Sequence, residues 1–357
     1  MIKVGITIGD VNGIGPEVII KALRDNRILS ECIPIIYGST RTISYHRKKV
    51  KGEEFVCRPC KSATDAVAKK INVVNIWDDE IKFELGKSTE TGGKYAFMSL
   101  EKATEDLASN KIDVLVTAPI SKDAIIKAGF KFPGHTEYLA NFANQDEALM
   151  LMVNGNLRVA MATSHVALKD VPSLLSKERI VEKIKMLENS LKKDFKIIRP
   201  KIAVLGLNPH AGEQGKMGEE EQQIINPAIQ EVKRGNTLVY GPFPADSFFG
   251  SSSIGEFDGV LAMYHDQGLT GFKALAFDEG VNFTAGLPIV RTSPDHGTAF
   301  DIVGEDKASE QSMRSAIYLA IDVYKNRQFV KEISVNPLPF SKREPNKKRF
   351  VKKDEVQ

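Results

Sequence analysis

Cysteine is scarce in this chain, with three in 357 residues, at positions 32, 57 and 60. An odd set cannot all pair within one chain, and a core of this size needs no covalent staple. Cys57 and Cys60 form a lone C-x-x-C with no second pair to complete a zinc knuckle, so free thiols in a reducing cytoplasm are expected. Long apolar runs are also missing: no stretch approaches the roughly 18 residues of a membrane span. The opening Met1-Ile-Lys-Val-Gly-Ile-Thr-Ile-Gly9 lacks the apolar core and cleavage site of a signal peptide and reads as a strand. Charge of one sign is lacking as well. A net charge of +3 gives no electrostatic footprint for nucleic acid. Much of it sits in the tail after Ser341, where Lys342, Arg343, Lys347, Lys348, Arg349, Lys352 and Lys353 outnumber Glu344, Asp354 and Glu355. With Pro337, Pro339 and Pro345 nearby, that segment reads as an extended appendage.

What remains is ordinary for a globular enzyme, 42% hydrophobic and 27% charged, and long enough for two cores. The pattern is strand, loop, helix, repeated. Strands are expected at Ile2–Ile8, Ile33–Tyr37 and Val114–Thr117, the last running into Ala-Pro-Ile-Ser-Lys122. Pro16-Glu17 opens a helix through Leu23, with proline in the first turn and an acid at the positive helix end. Helical spacing covers Gly93–Asn110, Lys177–Lys193, Glu219–Arg234 (with a disturbance at Pro227) and Ser309–Tyr324, the last closed by polar residues near Asn326. Alternating βα units predict a largely parallel sheet with helices on both faces. The predicted organisation is one unit from residues 1–130 plus 285–332, a central unit 131–284, and a basic tail 333–357.

Three apolar runs each lead directly into a histidine: Arg158-Val-Ala-Met-Ala-Thr-Ser-His165, Ile202-Ala-Val-Leu-Gly-Leu-Asn-Pro-His210 and Gly259-Val-Leu-Ala-Met-Tyr-His265. A buried parallel strand reads as such a run, and open α/β sheets bind ligands at strand carboxyl ends. Three imidazoles brought to one edge would make a catalytic metal site with open positions. Three unrelated core or surface histidines would read the same way. His46 fits no pattern and reads as an exposed loop residue.

Two glycine-rich segments narrow the choice. Gly9-Asp-Val-Asn-Gly-Ile-Gly-Pro-Glu-Val18 follows the first strand, but its G-x-x-x-G-x-G spacing is not the dinucleotide fingerprint. It is similar to the opening of the metal-dependent β-decarboxylating dehydrogenases, the isocitrate and isopropylmalate group. Asp295-His-Gly-Thr-Ala-Phe-Asp-Ile-Val-Gly304 resembles the loop with which that group holds the adenosine of the dinucleotide. Phe132-Pro-Gly-His135-Thr136-Glu137, Leu207-Asn-Pro-His210-Ala-Gly-Glu213, Gly241-Pro-Phe-Pro-Ala-Asp246, Ala262-Met-Tyr-His265-Asp-Gln-Gly268 and Gly280-Val-Asn282-Phe-Thr-Ala-Gly-Leu-Pro288 do not belong to the isocitrate enzymes. Together with Arg291-Thr-Ser-Pro-Asp-His-Gly-Thr298 they resemble the 4-hydroxythreonine-4-phosphate dehydrogenase family of pyridoxal phosphate biosynthesis, over roughly residues 1–330. Asp10-Val-Asn departs from the family's commoner opening, and residues 41–87 are variable.

The resemblance implies two α/β/α domains with largely parallel sheets, isocitrate/isopropylmalate dehydrogenase-like, with the active site in the cleft between them. It implies metal ligands His165, His210 and His265, and substrate contacts His135, Thr136, Lys273, Asn282 and Arg291. Arg291 and Lys273 suit a phosphate or carboxylate, the first as a planar fork and the second as a point charge. His296, Gly297, Thr298, Ala299 and Asp301 would hold the cofactor. The loop's acidic character favours NAD, with NADP as the alternative. The implied reaction oxidises the secondary alcohol of a small phosphorylated hydroxy amino acid, assisted by one divalent ion (zinc, with magnesium or cobalt as alternatives). Asp246 and Asp266 are both open as the general base. Family enzymes are homodimers with the metal site at the interface, which would have His265 complete the other chain's site. A sister activity on 4-phospho-D-erythronate or 4-phospho-D-threonate, and a phosphate acyltransferase on a related fold, are the competing readings. No membrane or nucleic-acid partner is expected, and the expected location is cytoplasmic.

Overall fold

The computed structural model describes residues 1–338 apart from 53 and 277. Most of the basic tail therefore lies outside the described residues. Twelve strands form one sheet: β1 (Ile2–Thr7), β2 (Cys32–Gly38), β3 (Cys57–Cys60), β4 (Ile71–Asn75), β5 (Val114–Thr117), β6 (Leu149–Asn154), β7 (Leu157–Met161), β8 (Lys201–Leu205), β9 (Leu238–Phe243), β10 (Gly259–Ala262), β11 (Val281–Ala285) and β12 (Arg291–Pro294). Their order is β3-β4-β2-β1-β5-β12-β11-β6-β7-β10-β8-β9. The first six in that order are parallel to one another, as are the last four. Between them β11 and β6 pair antiparallel with each other and with their outer neighbours, so the two parallel blocks run in opposite directions.

The strands of the parallel blocks are apolar because helices cover both faces. In β1 and β2, Val4, Ile6, Ile35 and Ile36 are fully buried. The helix Lys177–Lys193 has the expected bounds. Ser176 caps it by accepting from the Arg179 backbone N–H at 3.1 Å, and Ile180, Ile184, Leu187 and Leu191 form its buried stripe. Burying each of those side chains contributes about 1.5–3 kcal/mol. Lys183 shares the stripe and is buried too, its ammonium held 2.9 Å from Glu147.

Three features differ from the sequence reading or refine it. The disturbance expected at Pro227 is a single π-helical turn, Glu221–Ile225, after which Asn226–Arg234 continues as an α-helix with the proline in its first turn. The last helix runs Gln311–Ser334 and does not stop near Asn326. Its polar residues there make tertiary bonds instead of ending it. Asn326 donates to the Asp194 carbonyl at 2.7 Å, and Arg327 pairs with the Asp194 carboxylate at 2.6 Å. His46 is buried within the helix Thr40–Arg47, not exposed on a loop, and its Nε2 donates to the Val11 carbonyl at 2.9 Å. Burial lowers its pKa to about 4, so the ring is neutral at pH 7. Cys32, Cys57 and Cys60 are free thiols, as expected. Among the described residues no helix is long and apolar enough to cross a membrane.

Candidate active site

Alternation along the central strands sets up the floor of a cavity. Asn282 pairs across with Ser293 and Met152, and Thr284 with Met150, so these side chains share one sheet face with Arg291. Above it lies a cavity of about 390 Å³, lined by His135, Thr136, His165, His265, Lys273, Asn282, Arg291, His296 and Gly297 among the residues anticipated from sequence. Its walls are the segments following β5 and β12 from one block and β7 and β10 from the other. A neighbouring hollow of about 530 Å³ shares Thr136, Glu137, Met150 and His165 with it.

Arg291 is the electrostatic centre. It is 3% exposed, yet among the described residues its side-chain hydrogen-bond partners are hydroxyls alone: Nε and Nη2 donate to Thr117 Oγ1 at 3.0 and 2.6 Å, and Nη1 to Thr284 Oγ1 at 3.1 Å. No described carboxylate lies within ion-pair distance. Burial lowers the guanidinium pKa to about 10, which leaves it charged at neutral pH. A buried cation without an anion is costly, and this one faces a cavity. Burial, together with the charges of Arg291 and Lys122, holds His135 well below the ordinary imidazole value, so it is a neutral hydrogen-bonding group. His135 Nε2, Glu137 Oε2, Asn282 Oδ1 and His296 Nε2 are all buried without a partner, and all four residues line this cavity. Orphaned polar atoms are rare in folded proteins, and four around one cavity mark a place for a polar ligand. The Lys273 ammonium lies 3.5 Å from Asp295, whose pKa is raised by burial.

The three histidines follow β7, β8 and β10, which are adjacent parallel strands in the order β7-β10-β8. His165 and His265 come together, with ring centres 6.0 Å apart. His165 Nδ1 is 3.4 Å from Glu137 Oε1, and His265 Nδ1 is 2.6 Å from Asp266 Oδ1. Carboxylates on both Nδ1 atoms leave the Nε2 atoms for an ion, the usual outer arrangement of metal-binding imidazoles. Two ring centres sharing one tetrahedral zinc sit roughly 5–6 Å apart, given Zn–N distances near 2.0–2.1 Å. The pair therefore fits a divalent ion. His210 is exposed and does not line the cavity, and among the described residues no three His, Cys, Asp or Glu side chains are gathered for a metal.

His210 sits in an unusual backbone. His210, Ala211, Gly212, Glu213 and Gln214 all have positive φ (53°, 50°, 77°, 40° and 58°). The buried Glu221 carboxylate grips this loop's entry, accepting from the Leu207 and Asn208 backbone N–H groups at 2.7 and 2.8 Å and from Asn208 Nδ2 at 3.0 Å.

In the expected cofactor loop, His296 and Gly297 line the cavity, whereas Thr298, Ala299 and Asp301 do not. The glycine-rich opening segment supports this loop from behind. Ile14 N–H donates to the Thr298 carbonyl at 3.0 Å, and a Cβ on Gly13 would lie 3.0 Å from both Thr298 Cβ and that carbonyl. Glu17 accepts from Ala308 N–H at 3.1 Å and from Lys21 at 2.9 Å, and Lys21 also reaches Asp306 at 3.0 Å. The atypical Asp10-Val-Asn lines neither cavity. Asn12 donates to Thr89 Oγ1 at 2.9 Å and accepts from Glu84 N–H at 2.9 Å, fastening the loop to the next segment. Asp246 and Asp266 are both exposed and line neither cavity, although Asp266 meets His265 Nδ1 at 2.6 Å. Lys122, Glu137, Ser293 and Asp295 were not identified as site residues by sequence. Glu137 and Asp295 lie within segments recognised there, and Lys122 lies at a strand end, the one signal that could have found it.

The family described as pyridoxal phosphate biosynthetic protein PdxA matches residues 30–320. The 4-hydroxythreonine-4-phosphate dehydrogenase of Bacteroides thetaiotaomicron is 49% identical, covering 94% of this chain and 93% of its own. The crystal structure of the Klebsiella pneumoniae enzyme of the same name superposes with a TM-score of 0.79 at 35% identity, over 90% of this chain and 98% of that one. Isocitrate dehydrogenase from Methylococcus capsulatus, 12% identical with a TM-score of 0.50 over 93% of this chain and 88% of that one, shares the fold alone.

Proposed function

The chain belongs to the pyridoxal phosphate biosynthetic protein PdxA family, and on that premise we propose that it oxidises 4-phosphohydroxy-L-threonine. The secondary alcohol loses a hydride and a proton to give 2-amino-3-oxo-4-phosphooxybutanoate. That β-keto acid loses carbon dioxide to give 3-amino-2-oxopropyl phosphate. The observation that carries the reading is Arg291, a buried guanidinium whose side-chain partners are all hydroxyls, facing a cavity ringed by unpartnered polar atoms.

In this reading Arg291 and neutral His135 bind the substrate's phosphate, Thr136 and Asn282 hydrogen-bond its polar groups, and Lys273, steadied by Asp295, faces its carboxylate end. His165, His265 and His210 would hold the divalent ion, zinc in preference to magnesium or cobalt. When bound, that ion supplies a Lewis acid for the developing alkoxide and NAD supplies the hydride acceptor. Glu137 and Asp266 orient the His165 and His265 rings. Asp246 and Asp266 both stay open as the base: neither lines the cavity, and what sets Asp266 apart is its contact with His265 Nδ1 at 2.6 Å. His296 and Gly297 would meet the dinucleotide. His265 lies beside His165 of its own chain and not apart from it, so in a homodimer sharing the metal site the imidazole supplied across the interface would be His210 and not the expected His265. Residues 1–130 plus 285–332 would form one domain and 131–284 the other, in a cytoplasmic enzyme.

The test is turnover of 4-phosphohydroxy-L-threonine with NAD and with NADP, before and after chelation, with the aminoketone phosphate identified as product. Oxidation of 4-phospho-D-erythronate or 4-phospho-D-threonate in its place would move the enzyme to the sister activity.

A further inference from the structure

The cavity wall carries three cations, Arg291, Lys273 and Lys122, and they are not equally free. Lys273 has Asp295 at 3.5 Å. Lys122 makes no ion pair with any described carboxylate. Glu137, the other carboxylate on this wall, is turned toward His165. Lys122 is held in place by its backbone. It begins the helix Lys122–Lys127, whose N-cap Ser121 accepts from Ala124 N–H at 3.3 Å and meets Ser88 Oγ at 2.8 Å. The helix Glu90–Ala108 presses on the same turn through Gly93, where a Cβ would run into the Ala124 carbonyl. The ammonium is close enough to His135 and Glu137 to depress the pKa of both.

We propose that Lys122 is a further phosphate-binding residue, its ammonium closing on the same phosphate monoester that the Arg291 guanidinium takes from the sheet side. Two uncompensated positive charges on one wall match a group carrying about −1.5 to −2 at neutral pH. Arg291 supplies a fixed fork and Lys122 a mobile point charge. The inference rests on reading this cavity as the substrate site, and it names a residue which that reading does not include.

The experiment uses the intact chain with Lys122→Gln and Lys122→Arg. Inorganic phosphate binding is followed by calorimetry, and kinetics are measured on 4-phosphohydroxy-L-threonine and on unphosphorylated 4-hydroxythreonine. Lys122→Gln is expected to weaken phosphate binding and raise KM for the phosphorylated substrate about 10- to 100-fold, with kcat changed far less. The unphosphorylated compound should be handled as before, and Lys122→Arg should restore most of the affinity. Lys122 is exposed, so both variants should keep the native thermal midpoint. Undiminished phosphate affinity in Lys122→Gln, or equal losses on both substrates, would overturn the proposal. Phosphate binding that depends on Lys122 in a protein that oxidises neither substrate would instead sink the functional reading and leave Lys122 assigned.

Discussion

Thr117 Oγ1 accepts two hydrogen bonds from Arg291, from Nε at 3.0 Å and Nη2 at 2.6 Å, so a single hydroxyl at the end of β5 fixes the plane of the buried guanidinium. A lysine at 291 would keep the charge but lose that plane and the second contact to Thr284. Arg291→Lys is therefore expected to reduce kcat/KM for the phosphorylated substrate by about 1–3 kcal/mol in transition-state binding. Steady-state kinetics on the purified variant measures this, and an unchanged kcat/KM would place Arg291 outside the site.

His210→Ala should abolish turnover and lower the zinc content of the protein while leaving its circular dichroism unchanged, because the side chain is exposed and supports no core. Metal content read by elemental analysis separates this from a folding defect. A fully active variant in metal-free buffer would end the metal proposal.

Gly297 and Gly13 should behave differently, but not independently. A Cβ at Gly297 meets nothing within 4 Å, so Gly297→Val should fold normally, intrude on the nucleotide and raise KM for NAD, with metal binding unaffected. Gly13→Ala would press on Thr298 at 3.0 Å. It should disturb both the first loop and the proposed cofactor loop behind which it sits, lowering the thermal midpoint and raising KM for NAD together. A Gly13→Ala protein with native stability and native KM would show that the contact relaxes freely.

His46 sets a pH window for stability. Its pKa is about 4 in the fold against an ordinary 6.5, so the unfolded chain binds the extra proton between those values. Stability must then rise with pH across that interval and fall as pH drops from about 6.5 toward 4. One such group accounts for about 3 kcal/mol over the whole window. Urea unfolding at a series of pH values should show a shallower dependence in His46→Gln than in the parent protein.

What could be read from the sequence follows how local the cause is. The helix Lys177–Lys193 was legible to the residue because its serine cap and its apolar stripe lie within it. The strand ends leading to His165, His210 and His265 were legible because β7, β8 and β10 are continuous apolar runs. Asn326 misled because its partner is the Asp194 carbonyl, far away in sequence, and nothing local tells a polar residue that ends a helix from one that docks it. His46 failed for the same reason, its partner Val11 lying on another element. Lys122 looks like any surface lysine until the fold brings it to the same cavity as Arg291. The resemblance to a known family supplied the expected substrate contacts, but the buried guanidinium among hydroxyls and the unpartnered atoms around the cavity appear only in three dimensions.

The backbone around His210 behaves like a cocked spring. Left-handed conformations cost roughly 1–2 kcal/mol for each non-glycine residue, and His210, Ala211, Glu213 and Gln214 occupy them in close succession. The catch is the Glu221 carboxylate, planted in the π-helical turn and latched onto Leu207 and Asn208. Weakening that catch is expected to let the segment relax toward ordinary geometry and shift the imidazole from its place after β8. The position of His210 is thus tied to a residue that lines neither cavity, and the exchange of its amide hydrogen for deuterium should be among the first to quicken when the catch is weakened.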